Sequence, residues 1–223
     1  MHYYFITGTD TEIGKTFVTC ALLHSARVAG LSAVGYKPIA AGAEEIDGIW
    51  SNEDARRLQN ASSPGFLLDE INPLCLREPV APHIAAASEN IVLDVPPLVA
   101  GFERLAKRAD CVLVEGVGGF RVPLDDRLDT ADLALAMRLP VILVVGMRLG
   151  CINHALLTAE AIAARGLHLA GWVANTLAPR MNRFDENLEA LAARLPAPLL
   201  GVVPFSEAGP QSAASQVSLP GTV

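Results

Sequence analysis

Short apolar runs alternate with longer segments of helical periodicity along most of the chain. The runs are rich in β-branched residues, and several are apolar at nearly every position, which is typical of parallel strands covered on both faces. We therefore predict six strands, at Tyr3–Thr7, Ala33–Lys37, Cys111–Glu115, Val141–Val145, Leu169–Asn175 and Leu199–Val203.

The segments between these runs predict helices, and Gly30 and Gly166 lie where a glycine commonly follows the last helical turn. Alternating strands and helices favour parallel strands joined by right-handed crossovers. The sequence thus predicts an α/β fold with a mostly parallel β-sheet flanked by helices on both faces. The predicted helices are Lys15–Ala29, Asn52–Asn60, Pro97–Ala109, Thr130–Arg138, Ile152–Arg165 and Arg183–Leu195.

Two segments depart from this alternation. Residues 62–97 are rich in Pro and Ser and weakly periodic, so we expect an irregular excursion from the sheet rather than a separate domain. The tail from residue 206 to residue 223 is rich in Ser, Ala, Gly and Pro, and we expect it to be loosely ordered. Residues 1–223 are accordingly interpreted as a single domain.

Composition and charge exclude several classes of protein. Hydrophobic residues make up 51% of the chain and charged residues 18%, which favours a folded protein over a disordered one. A net charge of -7 argues against a nucleic-acid-binding protein, which normally has a basic face. The first residues show no signal peptide, and the longest apolar runs are too short to cross a bilayer. We expect a cytoplasmic protein with neither nucleic acid nor membrane as partner.

A phosphate-binding loop is predicted at residues 5–16, Phe-Ile-Thr-Gly-Thr-Asp-Thr-Glu-Ile-Gly-Lys-Thr. A strand enters a small polar loop there, and the N–H groups of the helix that follows favour an anion. Gly14 lets the backbone approach phosphate oxygens, Lys15 can reach the β and γ phosphates, and the Thr16 hydroxyl can ligate Mg²⁺. The usual spacing would place the first glycine at position 9, whereas Gly8 lies one residue earlier.

Carboxylates are needed beside such a loop because Mg²⁺ prefers oxygen ligands. Glu115 ends an apolar strand and precedes a glycine-rich turn, so we expect it at the sheet edge that carries the loop. A second carboxylate comes from Glu53 or Asp54, and the residues alone do not choose between them. Lys37 ends the second predicted strand, where it and Lys15 could flank one anionic centre and stabilise a transferring phosphoryl group.

Together these segments resemble the dethiobiotin synthetase family. The similarity lies in Gly-Thr-Asp-Thr-Glu-Ile-Gly-Lys-Thr at 8–16, Gly-Tyr-Lys-Pro at 35–38, Val-Glu-Gly-Val-Gly-Gly at 114–119, Gly-Cys-Ile-Asn-His at 150–154, and residues 170–175 and 196–204. It covers nearly the whole chain in order, and the shifted glycine spacing is the family's own form. The resemblance implies a single-domain P-loop NTPase-type fold and an ATP-dependent cyclo-ligase of biotin biosynthesis.

The resemblance also implies a reaction and its ligands. One amine of 7,8-diaminopelargonate takes up CO₂ to form a carbamate, whose oxygen attacks the γ-phosphate of ATP. The resulting carbamic–phosphoric anhydride is attacked by the second amine, which closes the ureido ring of dethiobiotin and expels phosphate. The implied cofactor is Mg²⁺, and ATP is a co-substrate.

Roles for individual residues follow from the resemblance by position. It makes Lys37, Lys15 and Thr11 catalytic, with Thr11 holding the carbamate, and it assigns Mg²⁺ to Thr16, Asp54 and Glu115. The residues that would contact the phosphates or lie close to them are Glu12, Ile13, Gly14, Lys15, Thr16, Phe17, Gly116, Val117 and Gly118. Those that would surround the rest of the nucleotide are Asn175, Thr176, Pro204, Phe205, Ser206 and Gln211.

For the substrate, the resemblance implies a homodimer with the active site at the subunit interface. Gly150, Cys151, Ile152 and Asn153 of the neighbouring subunit would receive the substrate carboxylate, joining Thr11, Lys37 and position 41. Three positions depart from the family's pattern. Ala41 stands where a serine is common, Asn187 where some relatives have tyrosine, and Gln211 where some have glutamate.

Other readings of the chain are weaker. Nucleotide-switch ATPases with the same sheet carry an extra lysine early in the loop, where this chain has Thr-Asp-Thr at 9–11. Amidating ligases need an ammonia source, normally a glutaminase domain, and this chain is too short to include one. His83 and His154 could be mistaken for catalytic bases, but the implied reaction needs none, and we expect structural hydrogen bonds for both.

Overall fold

The computed structural model describes residues 1–221. Its strands are β1 (His2–Gly8), β2 (Ala33–Tyr36), β3 (Ile39–Ala41), β4 (Ala43–Ile46), β5 (Ile49–Asn52), β6 (Leu74–Leu76), β7 (Cys111–Glu115), β8 (Val141–Met147), β9 (Leu169–Thr176) and β10 (Leu199–Val203). Its helices are α1 (Lys15–Val28), α2 (Glu53–Ala61), α3 (Leu68–Ile71), α4 (Pro82–Glu89), α5 (Val95–Ala106), α6 (Thr130–Met137), α7 (Cys151–Ala164), α8 (Phe184–Ala192) and a 3-10 helix (Pro210–Gln216).

A six-stranded sheet with the order β10-β9-β8-β1-β7-β2 forms the centre of the fold. Every neighbouring pair of these strands is parallel. β2, β7 and β8 are buried along their whole length, as expected where helices cover both faces of a parallel sheet. The predicted α/β fold and its six strands are therefore confirmed.

The order of the strands decides where the candidate site lies. β1 is the inner strand between β7 and β8, and its register pairs Ile6 with Glu115 and Thr7 with Leu143. The carboxyl ends of β1 and β7 are consequently side by side. The loop after β1 and the glycine-rich turn after β7 leave the same edge of the sheet, as predicted.

The six predicted helices are all present, with ends that differ from the prediction by three residues or fewer. Capping accounts for some of these ends. α2 begins after Asn52, whose side-chain oxygen accepts from the N–H groups of Asp54 and Ala55 at 3.0 and 3.3 Å. α6 ends where Arg138 adopts a left-handed conformation with φ of 54°.

Residues 62–97 are more regular than predicted. They contain α3, α4 and β6, and β6 pairs in parallel with β3 in a separate two-stranded sheet. β4 and β5 form an antiparallel hairpin that the sequence analysis also missed. The second strand of the main sheet is one residue shorter than predicted, because the N–H of Lys37 donates to the Ile71 carbonyl (2.8 Å) rather than continuing the ladder.

The expectation of a loosely ordered tail is wrong for residues 210–220. Ala213, Val217 and Leu219 are buried, and the Ser25 hydroxyl of α1 donates to the Val217 carbonyl at 2.9 Å. The N–H of Ser218 donates to the Leu200 carbonyl at 3.1 Å, so this segment lies along the outer edge of β10. Burial of these three apolar side chains stabilises an ordered segment, although its composition is rich in residues that favour turns. Residues 222–223 lie outside the described part of the chain.

The opposite edge of the sheet, at β2, is bordered by two serines. The N–H of Gly35 donates to the Ser62 hydroxyl and that of Ala33 to the Ser63 hydroxyl, both at 3.0 Å. The Ser63 N–H in turn donates to the Ala33 carbonyl at 2.7 Å. Within residues 1–221, no helix has the length and apolar character needed to span a membrane.

Candidate active site

The loop between β1 and α1 has the geometry of a phosphate site. It ends at Gly14, which has a φ of 81° and precedes the first residue of α1. A Cβ at this position would lie 2.2 Å from Nδ2 of Asn175, which itself donates to the Ile13 carbonyl at 2.8 Å. Only glycine combines this left-handed conformation with this close approach. Because no side chain caps α1 among the described residues, its first N–H groups face the loop and suit an anion.

Four charged or polar side chains meet behind this loop. The Lys37 ammonium donates to Oε1 of Glu115 at 2.7 Å, and the Thr16 hydroxyl donates to the same oxygen at 2.7 Å. Oδ2 of Asp54 lies 3.2 Å from the Lys37 ammonium. Lys37 is 3% exposed and Glu115 is fully buried, whereas the side chain of Asp54 is 40% exposed. The structure therefore brings together the three predicted metal ligands and the predicted catalytic lysine.

Helix geometry separates the two acidic residues that the sequence left open. Asp54 points toward Lys37, while Glu53 pairs with Arg57 one turn further along the exposed face of α2, at 2.5 Å. Asn52 fixes the start of this helix and also donates from Nδ2 to the Gly42 carbonyl at 2.8 Å. The sequence analysis began this helix at Asn52 but gave its side chain no role in the site.

Burial and charge act in opposite directions on these groups. Burial lowers the pKa of Lys15; the carboxylate of Glu115 opposes this effect and the charge of Lys37 adds to it. Burial also acts to lower the pKa of Lys37, but the charges and hydrogen bonds of Glu115 and Asp54 outweigh it and raise that pKa. Burial acts to raise the pKa of Asp54, but the charge of Lys37 and hydrogen bonds from Thr16 and Lys37 outweigh it, so this pKa is lowered. Lys37 therefore remains an ammonium and Asp54 a carboxylate at neutral pH.

One oxygen of this cluster lacks a partner. Oε2 of Glu115 is buried and accepts no hydrogen bond from any described residue. A buried carboxylate oxygen without a partner is costly, which indicates a ligand at this point. The donor set of carboxylate and hydroxyl oxygens suits a hard cation such as Mg²⁺. The residues present thus fit the predicted cofactor, although the described residues include no group of three or more His, Cys, Asp or Glu side chains that could hold a metal by themselves.

The glycine-rich turn after β7 lies against the phosphate loop. The N–H of Gly116 donates to the Ile6 carbonyl at 3.0 Å, and a Cβ at Gly118 would lie 3.7 Å from the Thr11 hydroxyl. Val117 is half-buried between them. Thr11 is exposed and faces this turn, so the structure brings the turn of residues 116–118 next to the phosphate loop.

Two cavities adjoin Phe17 at the start of α1. The smaller, of about 340 Å³, touches Glu12 and Gly14. The larger, of about 650 Å³, lies between α1, α2 and residues 206–211, and it includes Gln211. The smaller cavity gathers the other residues predicted to surround the nucleotide, which are Asn175, Thr176, Pro204, Phe205 and Ser206.

The predicted substrate residues are less tightly grouped. Ala41 ends β3, and its carbonyl accepts from Nδ2 of Asn52 at 3.3 Å. Gly150 precedes α7 with a φ of 94°, and Ile152 and Asn153 belong to its first turn. The N–H of Cys151 donates to the Arg148 carbonyl at 3.0 Å. The N–H of Cys151 is therefore already paired within its own chain.

Two other predictions concern residues with no place in the cluster. Asn187 is half-buried on α8 and donates from Nδ2 to the Arg183 carbonyl at 2.8 Å. Nδ1 of His83 is buried without a hydrogen-bond partner among the described residues, so the hydrogen bonding expected of it is not found at this atom. Arg148, whose guanidinium pairs with Asp10, was missed because nothing in the sequence joins two residues so far apart.

Known proteins share both the sequence and the fold. The family model described as "AAA domain" matches residues 2–209. The MinD cell division ATPase of Pyrococcus furiosus (16% identity, 93% of this chain, 85% of that chain, TM-score 0.59) and a ParA family ATPase of Chlorobium tepidum (12%, 96%, 89%, 0.58) share the fold. The ATP-dependent dethiobiotin synthetase BioD of Aromatoleum aromaticum is 65% identical over 219 residues, which cover 98% of this chain and 97% of that protein. A relative this similar over the full length leaves one conclusion: the chain belongs to the dethiobiotin synthetase family.

Proposed function

We propose that this chain converts 7,8-diaminopelargonate, CO₂ and ATP into dethiobiotin, ADP and phosphate. The observation that carries this proposal is the buried cluster in which the Lys37 ammonium and the Thr16 hydroxyl both lie 2.7 Å from one oxygen of Glu115. In this cluster an ammonium group and a hydroxyl group lie beside the loop whose N–H groups suit a phosphate. Such a site suits the activation of an oxygen by phosphoryl transfer.

The proposed reaction has three steps. One amine of the diamine bonds to the carbon of CO₂ and loses a proton, giving a carbamate. A carbamate oxygen then attacks the γ-phosphorus of ATP, and the bond from that phosphorus to the bridging oxygen breaks to release ADP. The second amine attacks the carbonyl carbon of the anhydride, loses a proton and expels phosphate, which closes the ring.

The two lysines stabilise the charge that builds during the second step. Lys37 acts as a cation rather than a base, because its raised pKa keeps it protonated. Lys15 is 8% exposed and lies at the first position of α1, from which it would reach the terminal phosphates. Fixed charges in a buried site stabilise a phosphoryl-transfer transition state without reorganising water. Thr11 would hold the carbamate at the mouth of the loop.

We propose that Thr16, Asp54 and Glu115 hold Mg²⁺. The unpartnered Oε2 of Glu115 supports this assignment. When bound, Mg²⁺ neutralises charge on the β and γ phosphate oxygens. The ordered start of α2 keeps Asp54 within reach of this position, since Asn52 caps the helix there.

The remaining assignments follow from the positions of the cavities. Glu12, Ile13, Gly14 and Phe17 would line the path of the phosphates, and the cavity of about 340 Å³ would hold the base between residues 175–176 and 204–206. Gln211 lines the neighbouring cavity and would contact the sugar side of the nucleotide.

We further infer that the chain acts as one domain, works in the cytoplasm and forms a homodimer. In that dimer, Gly150–Asn153 of one subunit would meet the substrate carboxylate at the other subunit's site. Exposed apolar side chains near this segment support the assignment, since Leu149 is 96% exposed and Leu157 is 56% exposed. Surfaces of this kind are often covered by a partner.

The first experiment mixes the protein with Mg²⁺-ATP and bicarbonate, with or without 7,8-diaminopelargonate. Phosphate and dethiobiotin would be measured together. We expect equal amounts of both, and only when the diamine is present. ATP hydrolysis that ignores the diamine would contradict the proposal and favour a switch ATPase, whose fold this chain shares.

A further inference from the structure

An ion pair ties the phosphate loop to the loop before α7. The Arg148 guanidinium pairs with Oδ2 of Asp10, and Oδ1 of the same carboxylate accepts from the N–H of Thr11 at 2.8 Å. The Arg148 carbonyl accepts from the N–H of Cys151, the first residue of α7, at 3.0 Å. One continuous chain of contacts therefore runs from Thr11 through the ion pair to the start of α7.

The ion pair also offsets a negative charge in the phosphate loop. Asp10 places a negative charge within a loop whose N–H groups are directed at phosphate, and two like charges this close would repel. The guanidinium of Arg148 offsets that charge through its contact with Oδ2 of the carboxylate. Thr11, which depends on Asp10 for its N–H partner, is oriented as a result.

We propose that Asp10 and Arg148 are positioning residues that hold Thr11 and the start of α7 in one arrangement and thereby set the KM for the diamine. This inference rests on the proposed function, which assigns the carbamate to Thr11 and the substrate carboxylate to Gly150–Asn153. Because each subunit's α7 would serve the other subunit's site, the pair connects the two sites of the dimer.

The effect should be on substrate binding rather than on folding. The side chains of Arg148 and Asp10 are 48% and 42% exposed, and ion pairs this exposed add little to stability. Loss of the pair would instead loosen the two segments that contact the diamine. A change that weakens the binding of substrate and transition state equally raises KM and leaves kcat unchanged.

The test compares Arg148→Gln, which removes the charge, with Arg148→Lys, which keeps it. We expect Arg148→Gln to raise the KM for the diamine about tenfold while kcat and the melting temperature change little. Arg148→Lys should recover most of that loss. The matched control is Arg108→Gln, which breaks a pair of similar exposure (44% and 33%) before the amino end of β7, away from the phosphate loop, and should leave KM unchanged.

A double-mutant cycle with Asp10→Asn completes the test. Asn keeps an oxygen for the Thr11 N–H, so Asp10→Asn and Arg148→Gln combined should raise KM no more than the larger single change does. A KM for Arg148→Gln within about twofold of wild type overturns the inference, as do additive effects in the cycle. If Arg148→Gln fails to fold, Asp10→Asn and Arg148→Lys carry the same comparison. Failure of the proposed function shows separately, as a wild-type protein that makes no dethiobiotin.

Discussion

The Lys37 ammonium lies 2.7 Å from Oε1 of Glu115, and both side chains are almost fully withdrawn from water. Buried ion pairs are expensive to form, and removing one partner leaves an uncompensated charge. This arrangement is therefore better explained by the charge that a reaction develops at the site than by stability alone.

Replacing Lys37 with Gln should lower turnover by about a hundredfold or more, because a charge that stabilises the transition state is lost. ATP binding should change little, since Lys15 and the N–H groups of α1 remain in place. Single-turnover phosphate release and nucleotide titration would separate the two effects. Lys107→Gln, at the exposed end of α5, is the control and should keep full activity. Near-normal turnover in Lys37→Gln would remove this residue from the mechanism.

The Mg²⁺ assignment can be tested with two neighbouring carboxylates. Asp54→Asn should raise the Mg²⁺ concentration needed for half-maximal activity by about tenfold or more, as the loss of a group at a metal site commonly does. Glu53→Gln should leave the Mg²⁺ requirement unchanged, because Glu53 faces solvent and pairs with Arg57. Titrations of activity against Mg²⁺ would measure both. Equal responses from the two variants would contradict the assignment.

The pH dependence of stability follows from the directions of the pKa shifts. Folding lowers the pKa of Asp54 below 3.8, so its stabilising contribution is present above that value and is lost as pH falls through the folded pKa. Folding raises the pKa of Lys37 above 10.5, so its contribution is complete below that value and is lost as pH rises through the folded pKa.

Between those limits, the difference in melting temperature between wild type and Asp54→Asn should stay constant. It should shrink only below about pH 4, where the carboxylate begins to take up a proton in the unfolded chain. Thermal unfolding of both proteins from acid to neutral pH would show this. A difference that disappears near neutral pH would mean that Asp54 is not charged in the folded protein.

Gly14→Ala should weaken nucleotide binding and stability together. The left-handed conformation costs about 1–2 kcal/mol for a residue with a Cβ. The added atom would also meet Nδ2 of Asn175 at 2.2 Å. Gly30→Ala is a matched control, because its φ of 85° carries the same backbone cost but the described residues leave its Cβ in open space. Unfolding and ADP titrations on both variants isolate the contact with Asn175, and identical behaviour would show that the contact is unimportant.

The sequence predicted the main sheet well because its strands are short runs that are apolar at most positions. Cys111–Glu115 and Leu199–Val203 were predicted without error in their limits. Because parallel strands end at the same edge of a sheet, the sequence also predicted that Lys37 and Glu115 would lie near each other. Local pattern could not supply the choice of Asp54 over Glu53, which depends on the direction in which each side chain leaves α2.

Contacts between residues far apart in the sequence were the features that the sequence analysis most often failed to predict. Asp10 and Arg148 belong to loops that follow adjacent strands, yet nothing in their surroundings marks them as partners. β3 and β6 are only three residues each and pair with each other. Segments this short show no recognisable strand pattern in the sequence. The order of residues 210–220 was missed because Val217 and Leu219 were outweighed by turn-forming neighbours.

Both edges of the main sheet are occupied by the chain's own segments. At β10, the segment carrying Ser218 takes the outer position, and a Cβ at Gly201 would lie 2.0 Å from the Gln216 carbonyl oxygen. At β2, Ser62 and Ser63 take the N–H groups that another strand would use. An edge strand with free N–H and C=O groups can pair with a strand of another molecule, and both edges of this sheet are already covered. Two copies of this chain therefore cannot extend one main sheet into the other through these edges. The homodimer proposed above would have to form through other surfaces, such as the exposed side chains of Leu149 and Leu157 around the start of α7.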